Sequence, residues 1–382
     1  KLAALAHTNL ENSIWQICAR SRARIPAMTL QTYSKKISTF GRQKRWQEAL
    51  ETLSDMRFFD LSPDRAVYNA AVSAGEKGAR WTESLDLLND MRRIKVHPDV
   101  VSYSAAISAC EKCAQTQEAL DIFEDMGRRR VSPNVIAYSA AISACEKQGW
   151  WHEALDILAA IGLSRLELDA IPCNAAISAC EKGTQWHEAL GIILDMRAQC
   201  LEPTLITYGA LISACEKGAR WKEALDIFVD MKSRLLSPSV VACNALISAC
   251  EKGIRWQEAL SVFFGMEPQR VEADVITYNA AISACGKSAR WNEGMGILLG
   301  MRRCRVQPDL LSCNAAITAC EKGSRWKEAF DIFEDMGVQR LEPDDITCNA
   351  LLCACEKNLL WQEAFGIHAD MQLRGINIDA LA

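Results

Sequence analysis

From Leu30 onward, apolar residues fall into two alternating helical stripes that return every 35 residues. In VVSYSAAISACEKC, which begins at Val100, Tyr103, Ile107 and Cys110 stand at i, i+4 and i+7, one face of a helix. In WTESLDLLNDMRR, the residues Trp81, Ser84, Leu85, Leu88 and Met91 stand at i, i+3, i+4, i+7 and i+10, a second amphipathic helix. Between the stripes lies a break of the EKGAR type (Glu76 to Arg80), whose Gly78 suits a helix C-terminus. A proline before the next first stripe (Pro63, Pro98, Pro133, Pro203, Pro238, Pro308 and Pro343) is expected to stop the second helix. Each unit therefore reads as a helical hairpin, too small to bury its apolar face except against its neighbours.

Ten units tile the chain without a gap: 30–64, 65–99, 100–134, 135–169, 170–204, 205–239, 240–274, 275–309, 310–344 and 345–379. The predicted fold is all-α, an α-solenoid superhelix of tandem helix-turn-helix repeats. A Trp opens the second stripe of every unit but one, where Thr116 stands instead. That Trp, the Met ten residues after it, and the Tyr or Cys at the fourth position are expected to form the core.

Composition adds little that the repeat does not. The chain is 49% hydrophobic and 24% charged, with a net charge of −5. No apolar run approaches the roughly 20 residues of a membrane span, so no membrane partner is expected. Of seventeen cysteines, eight (Cys110, Cys145, Cys180, Cys215, Cys250, Cys285, Cys320 and Cys355) share one repeat position. Equivalent positions in stacked units lie about 10 Å apart, beyond disulfide reach, so these read as small buried residues in a reducing compartment. Cys110-x-x-Cys113 has no second pair at metal spacing, and no catalytic triad or phosphate loop is visible, so neither an enzyme nor a cofactor is predicted. Residues 1–29 are Ala-rich and carry Lys1, Arg20, Arg22 and Arg24 against one acid, Glu11. They fit the remnant of an organelle targeting segment or a degenerate capping helix. No initiator Met opens the chain, and residues 380–382 read as the start of a truncated continuation.

A 35-residue hairpin reading V-x-Y-N-x-x-I-x-A-C-E-K, then W-x-E-A-L-x-I-F-x-x-M and V-x-P-D, resembles the pentatricopeptide repeat (PPR) family over residues 30–379. The uniform unit length resembles its P class. The resemblance implies single-stranded RNA binding, one base per repeat, in a plastid or a mitochondrion, the plastid favoured. It implies a monomer acting in RNA processing, stabilisation, splicing or translation, with protein partners in an RNA-processing complex. The competing reading is a protein-binding helical-repeat scaffold, which should vary its groove widely and show no repeated cation.

With each unit numbered 1 to 35, position 13 is basic throughout: Arg42, Lys77, Lys112, Lys147, Lys182, Lys217, Lys252, Lys287, Lys322 and Lys357. A cation at a helix C-terminus also complements the helix dipole, but that role alone would tolerate neutral exceptions, and there are none. By resemblance this position lies beside the RNA backbone, one cation per phosphate. Glu occupies position 19 in every unit, so acids and bases are segregated and a positive groove is compatible with the net charge.

By resemblance, positions 5 and 35 choose the base. Position 5 carries Ser34, Asn69, Ser104, Ser139, Asn174, Gly209, Asn244, Asn279, Asn314 and Asn349. Position 35 carries Asp64, Asp99, Asn134, Asp169, Thr204, Ser239, Asp274, Asp309, Asp344 and Asp379, which are also good N-caps for the next helix. Position 2 carries Val101, Ile136, Ile171, Ile206, Val241, Ile276, Leu311 and Ile346, suited to sandwich a base, with Gln31 and Ala66 departing from the pattern. A carboxylate only accepts hydrogen bonds while an amide also donates, so Asp at 35 favours U or G and Asn favours A or C. The family pattern adds that Ser at 5 accompanies purines and Asn pyrimidines. The expected target is 5′-GUAG-x-x-UUUU-3′, unpaired because its base edges must be exposed. Replacing Asn134 by Asp is expected to move the third unit from A toward G at about 1–3 kcal/mol against the original base. Binding of paired oligonucleotides differing at that base checks this, and an unchanged ranking removes the code assignment.

Overall fold

A computed structural model describes residues 30–58, 61–164 and 169–374. The expected cap or targeting remnant at 1–29 and the continuation at 380–382 lie outside the described residues. The helices, in hairpin pairs, are α1 Leu30–Arg42 with α2 Trp46–Phe58, α3 Arg65–Lys77 with α4 Trp81–Arg93, and α5 Val100–Lys112 with α6 Thr116–Arg128. Next come α7 Val135–Gln148 with α8 Trp151–Leu163, α9 Ala170–Lys182 with α10 Trp186–Ala198, and α11 Leu205–Lys217 with α12 Trp221–Ser233. The rest are α13 Val240–Lys252 with α14 Trp256–Phe264, α15 Val275–Lys287 with α16 Trp291–Arg303, α17 Leu310–Lys322 with α18 Trp326–Val338, and α19 Asp345–Lys357 with α20 Trp361–Arg374. The fold is an α-solenoid of helical hairpins. It divides into two compact units, residues 1–148 with 159–166, and residues 149–158 with 167–382. Among the described residues no helix is long and apolar enough to cross a membrane.

Within each unit, first helices pack on first helices through positions 4, 8, 10 and 11. In repeat 6 these are Tyr208, Ile212, Ala214 and Cys215, all fully buried. Small Ala and Cys side chains let the helices approach closely, and each buried Ile or Leu contributes about 1.5–3 kcal/mol. The core cysteines are free and buried, and burial pushes the Cys110, Cys215, Cys250, Cys285 and Cys320 thiols up to about 12. On the second helix the buried stripe is Ser84, Leu87, Leu88 and Met91, so Leu87 takes the place expected for Leu85. Second helices are tied across repeats by polar contacts: Arg92 of one repeat pairs with Asp125 of the next, whose carboxylate also accepts from the Tyr103 hydroxyl at 2.8 Å.

Gly78 is the C-cap of α3, as expected, with φ −85°, and the left-handed residue is the next one, Ala79 at φ 51°. Two sequence readings are corrected, those of the Trp and of the prolines. Where glycine stands at position 14 it leaves space for the preceding ring: a Cβ on Gly218 would stand 2.5 Å from Trp186 Cδ1, and one on Gly78 equally close to Trp46, while other repeats carry Gln43, Cys113, Gln148, Ser288 or Asn358 there. The Trp is correspondingly not central core. It is half-buried at the hairpin turn except in Trp361, and Trp46, Trp186, Trp221 and Trp291 are roofed by the next repeat's glycine and by the guanidinium at position 16 of that repeat, as Arg220 over Trp186 at 4.4 Å. Where the Trp is replaced, Thr116 is buried and its hydroxyl donates to Ala144 O at 2.7 Å, and the next repeat has Gln148 instead of glycine. Nor do the prolines stop the second helices, which end earlier at a left-handed residue at position 31, such as Lys95 or Arg305.

Gly218→Ala is expected to destabilise the protein by about 1–3 kcal/mol through overpacking against Trp186. Gly296→Ala, whose Cβ would meet nothing within 4 Å inside α16, should instead stabilise it by roughly 0.5–1 kcal/mol. Denaturant unfolding of the two variants checks the contrast in sign.

Candidate nucleic-acid interface

Positions 2, 5, 6 and 9 of a first helix share one face, because they recur at i, i+3, i+4 and i+7. In the second unit this face opens into a groove of about 460 Å³ lined by Ile276, Asn279, Ser283, Leu311, Asn314, Thr318 and Ile346, with Glu251 on its wall. The aliphatic row is exposed: Ile136, Ile171, Ile206, Val241, Ile276, Leu311, Ile346 and Val101 all present more than half of their surface. Exposed branched residues at one register of eight successive helices mark this face as a candidate interaction surface. In the first unit a groove of about 620 Å³ holds Asp64, Ala66, Asn69 and Asp99, with Ala66 leaving it open where other repeats carry a branched side chain.

Positions 5 and 35 meet directly. Asn69 donates to Asp99 at 3.1 Å, Asn244 to Asp274 at 3.1 Å, Asn279 to Asp309 at 3.1 Å and Asn314 to Asp344 at 2.9 Å. The same position-35 residues cap the following helix: Asp99 accepts from Ser102 N and Asp274 from Thr277 N, while Asp64 accepts from Val67 N and Ser239 from Ala242 N. Capping and pairing are therefore simultaneous, because a carboxylate has lone pairs enough for both. Asn134 does likewise, accepting from Ala137 N at 2.9 Å and from the Ser104 hydroxyl at 3.0 Å. Asp169 caps through Ala170 N at 2.6 Å, since Pro172 brings no N–H to the third position. Ser34, Ser139 and Gly209 are half-buried on their first helices. Asn349 is half-buried too, and its expected partner Asp379 lies outside the described residues.

A third member of the site was missed. The position-3 hydroxyl of the next repeat donates to the position-5 amide oxygen: Thr277 to Asn244 and Thr207 to Asn174 at 2.6 Å, with Ser102, Ser312 and Thr347 doing so for Asn69, Asn279 and Asn314. The hydroxyl also accepts from the position-35 N–H, as from Asp274 N at 3.1 Å, closing a capping box. This relay points the Asn oxygen at the hydroxyl and the NH₂ at the acid. The signal was available: the five junctions with Asn at 5 are followed by Ser or Thr at 3, and the four with Ser or Gly are followed by Val67, Ala137, Pro172 and Ala242. Burial alone would raise the carboxyls of Asp99, Asp274, Asp309 and Asp344, but the capping N–H, the hydroxyl and the amide outweigh it. All four are held below the ordinary value and remain acceptors at neutral pH. Asn314 is the most enclosed reader, 4% exposed.

The position-13 cations lie on the same side, at i+4 from position 9, and they are paired. Lys112 meets Glu76 at 2.8 Å, Lys147 Glu111 at 3.2 Å, Lys217 Glu181 at 3.0 Å and Lys287 Glu251 at 3.0 Å, with Lys252–Glu216 and Lys357–Glu321 alike. In each case the acid is position 12 of the preceding repeat. Lys77 and Lys322 face a glycine there, Gly41 and Gly286.

The recurring geometry agrees with family comparisons. The PPR repeat family matches residues 98–147, 203–252, 238–287 and 308–357, the pentatricopeptide repeat domain matches 157–217, and the PPR repeat matches 136–160, 276–306 and 346–376. The chain belongs to the pentatricopeptide repeat family. The fold of this PPR protein is similar to crystal structures of PPR10 in complex with an 18-nt psaJ RNA element, one of them a triple Cys-to-Ser variant. Each aligns with a TM-score of 0.69 at 21% identity, over 95% of this chain and 53% of that one. A crystal structure of PPR10 from maize aligns with a TM-score of 0.45 at 19% identity, over 92% of this chain and 59% of that one. The chain thus spans about half the length of the PPR10 chains in the RNA complexes. No curated protein matches it by sequence.

Thr347→Val, which keeps shape and removes the hydroxyl, is expected to cost about 1–3 kcal/mol because the buried Asn314 oxygen loses its partner. Denaturant unfolding checks this against Thr318→Val, whose hydroxyl only returns to its own helix at Asn314 O.

Proposed function

We propose that this PPR protein binds single-stranded RNA along its first-helix face, one nucleotide per repeat, in an organelle, and acts by occupancy rather than catalysis. One observation carries the proposal: an exposed aliphatic at 2 and a paired polar reader at 5 and 35 recur in register on the first-helix face of each unit. Flat bases fit between successive aliphatic side chains, and polar edges meet the readers between them.

The Asn–Asp pair also supports the uracil assignment. One amide N–H and an outward carboxylate lone pair are left over after the relay and the cap are satisfied. Uracil offers the complement, a carbonyl oxygen beside a ring N–H, whereas cytosine turns a bare nitrogen toward the carboxylate. Repeats 2, 7, 8 and 9 build this pair alike, in line with U at each of those places in GUAG-x-x-UUUU.

Binding of the protein to GUAGCUUUUU RNA, to a scrambled RNA and to the DNA equivalent tests the reading, with the first expected to bind tightest. Equal binding of the scrambled RNA would remove base readout, and no RNA binding would remove the function. Changing U to C opposite repeat 7 should cost roughly 1–3 kcal/mol. The same change opposite repeat 9 should cost less, because Asn314 is more enclosed than Asn244.

A further inference from the structure

The position-12 acids have no role in base reading, yet Glu251 stands on the groove wall and the others share its place in the repeat. Their carboxylates are less exposed than the lysines they meet: in six pairs the acids are 13–23% exposed and the lysines 37–48%. A second anchor explains this at two rungs, where the next repeat's position-9 hydroxyl donates to the same acid, Ser283 to Glu251 at 2.6 Å and Ser248 to Glu216 at 3.2 Å. Each rung is thus a fixed negative charge with an ammonium group folded onto it. A phosphate arriving there must share the lysine with a carboxylate about 3 Å away and is repelled by that carboxylate.

We infer that the position-12 glutamates are built-in competitors of RNA phosphate, which hold the position-13 lysines and set the absolute affinity of the groove without choosing bases. This rests on the RNA-binding reading above. Glycine replaces the competitor at Gly286, so Lys322 meets RNA uncommitted and is the strongest phosphate contact of its unit. Gly41 does the same for Lys77 in the other unit. The row keeps the sequence-independent part of the affinity low, so RNA lacking the right bases is released.

The test compares wild type with the triple variant Glu216→Gln, Glu251→Gln, Glu321→Gln, which frees Lys252, Lys287 and Lys357. A charge-matched control, Asp226→Asn, Asp331→Asn, Glu334→Gln, alters exposed acids on second helices. Affinities for GUAGCUUUUU and scrambled RNA are measured across a salt series. The triple variant should bind both RNAs more tightly by the same factor, about two- to fivefold per freed lysine. Its log–log salt slope should steepen by up to about 2. In the wild-type background, Lys322→Gln should flatten the slope by about 0.7, and Lys252→Gln by much less. An unchanged slope, a gain confined to the target RNA, an equal gain in the control, or equal effects of the two lysine variants would each overturn the competitor role while leaving RNA binding intact. Failure of wild type to bind either RNA would instead remove the RNA reading, and this inference with it.

Discussion

Everything polar in this protein is positioned by an apolar seam. Ile, Ala and Cys at positions 8, 10 and 11 of the first helices of repeats 3 to 9 are buried. That seam sets the rise from one repeat to the next, and the rise decides which side chains can reach across. Asn at 5 reaches Asp at 35 because the next first helix begins where the seam puts it. Lys at 13 reaches Glu at 12 of the preceding repeat for the same reason. A longer side chain in the seam would open both sets of contacts together.

The hairpin turns hold a second constraint. Trp46, Trp186, Trp221 and Trp291 are each covered by glycine at 14 and a guanidinium from position 16 of the next repeat, so an aromatic ring, an absent Cβ and a cation form one contact. Other junctions depart from it: Thr116 replaces the Trp ahead of Gln148, while Cys113, Ser288 and Asn358 stand for the glycine after Trp81, Trp256 and Trp326. The repeat unit therefore specifies its neighbour as much as itself, as expected of an array whose stability comes from interfaces.

The groove combines two kinds of polar chemistry with different consequences. At 5, 35 and the following 3, amide, carboxylate and hydroxyl satisfy one another and still leave one donor and one acceptor outward. At 12 and 13, acid and base neutralise each other. Net charge is blind to this difference, and so is the segregation inferred from Glu at 19: acids at position 12 pair with the position-13 lysines, and Glu at 19 itself pairs with Arg at 16, as Arg80 with Glu83.

The helical hairpin, its period and the register of positions 2, 5, 13 and 35 were legible in the sequence, because side-chain spacing along a helix is fixed by local geometry. The position-3 relay was legible too, in the matching of Asn at 5 with Ser or Thr in the next unit, but only contact explains why. Sequence alone misassigned the Trp and the prolines, since how far a ring is covered depends on the next repeat, and a proline in a linker looks the same whether or not it ends a helix. The pairing of Lys287 with Glu251, the enclosure of Asn314 and the exposure of Trp361 were decided by packing between repeats. Such facts depend on distances between residues some 30 positions apart, which helix periodicity cannot supply and only stacked hairpins define.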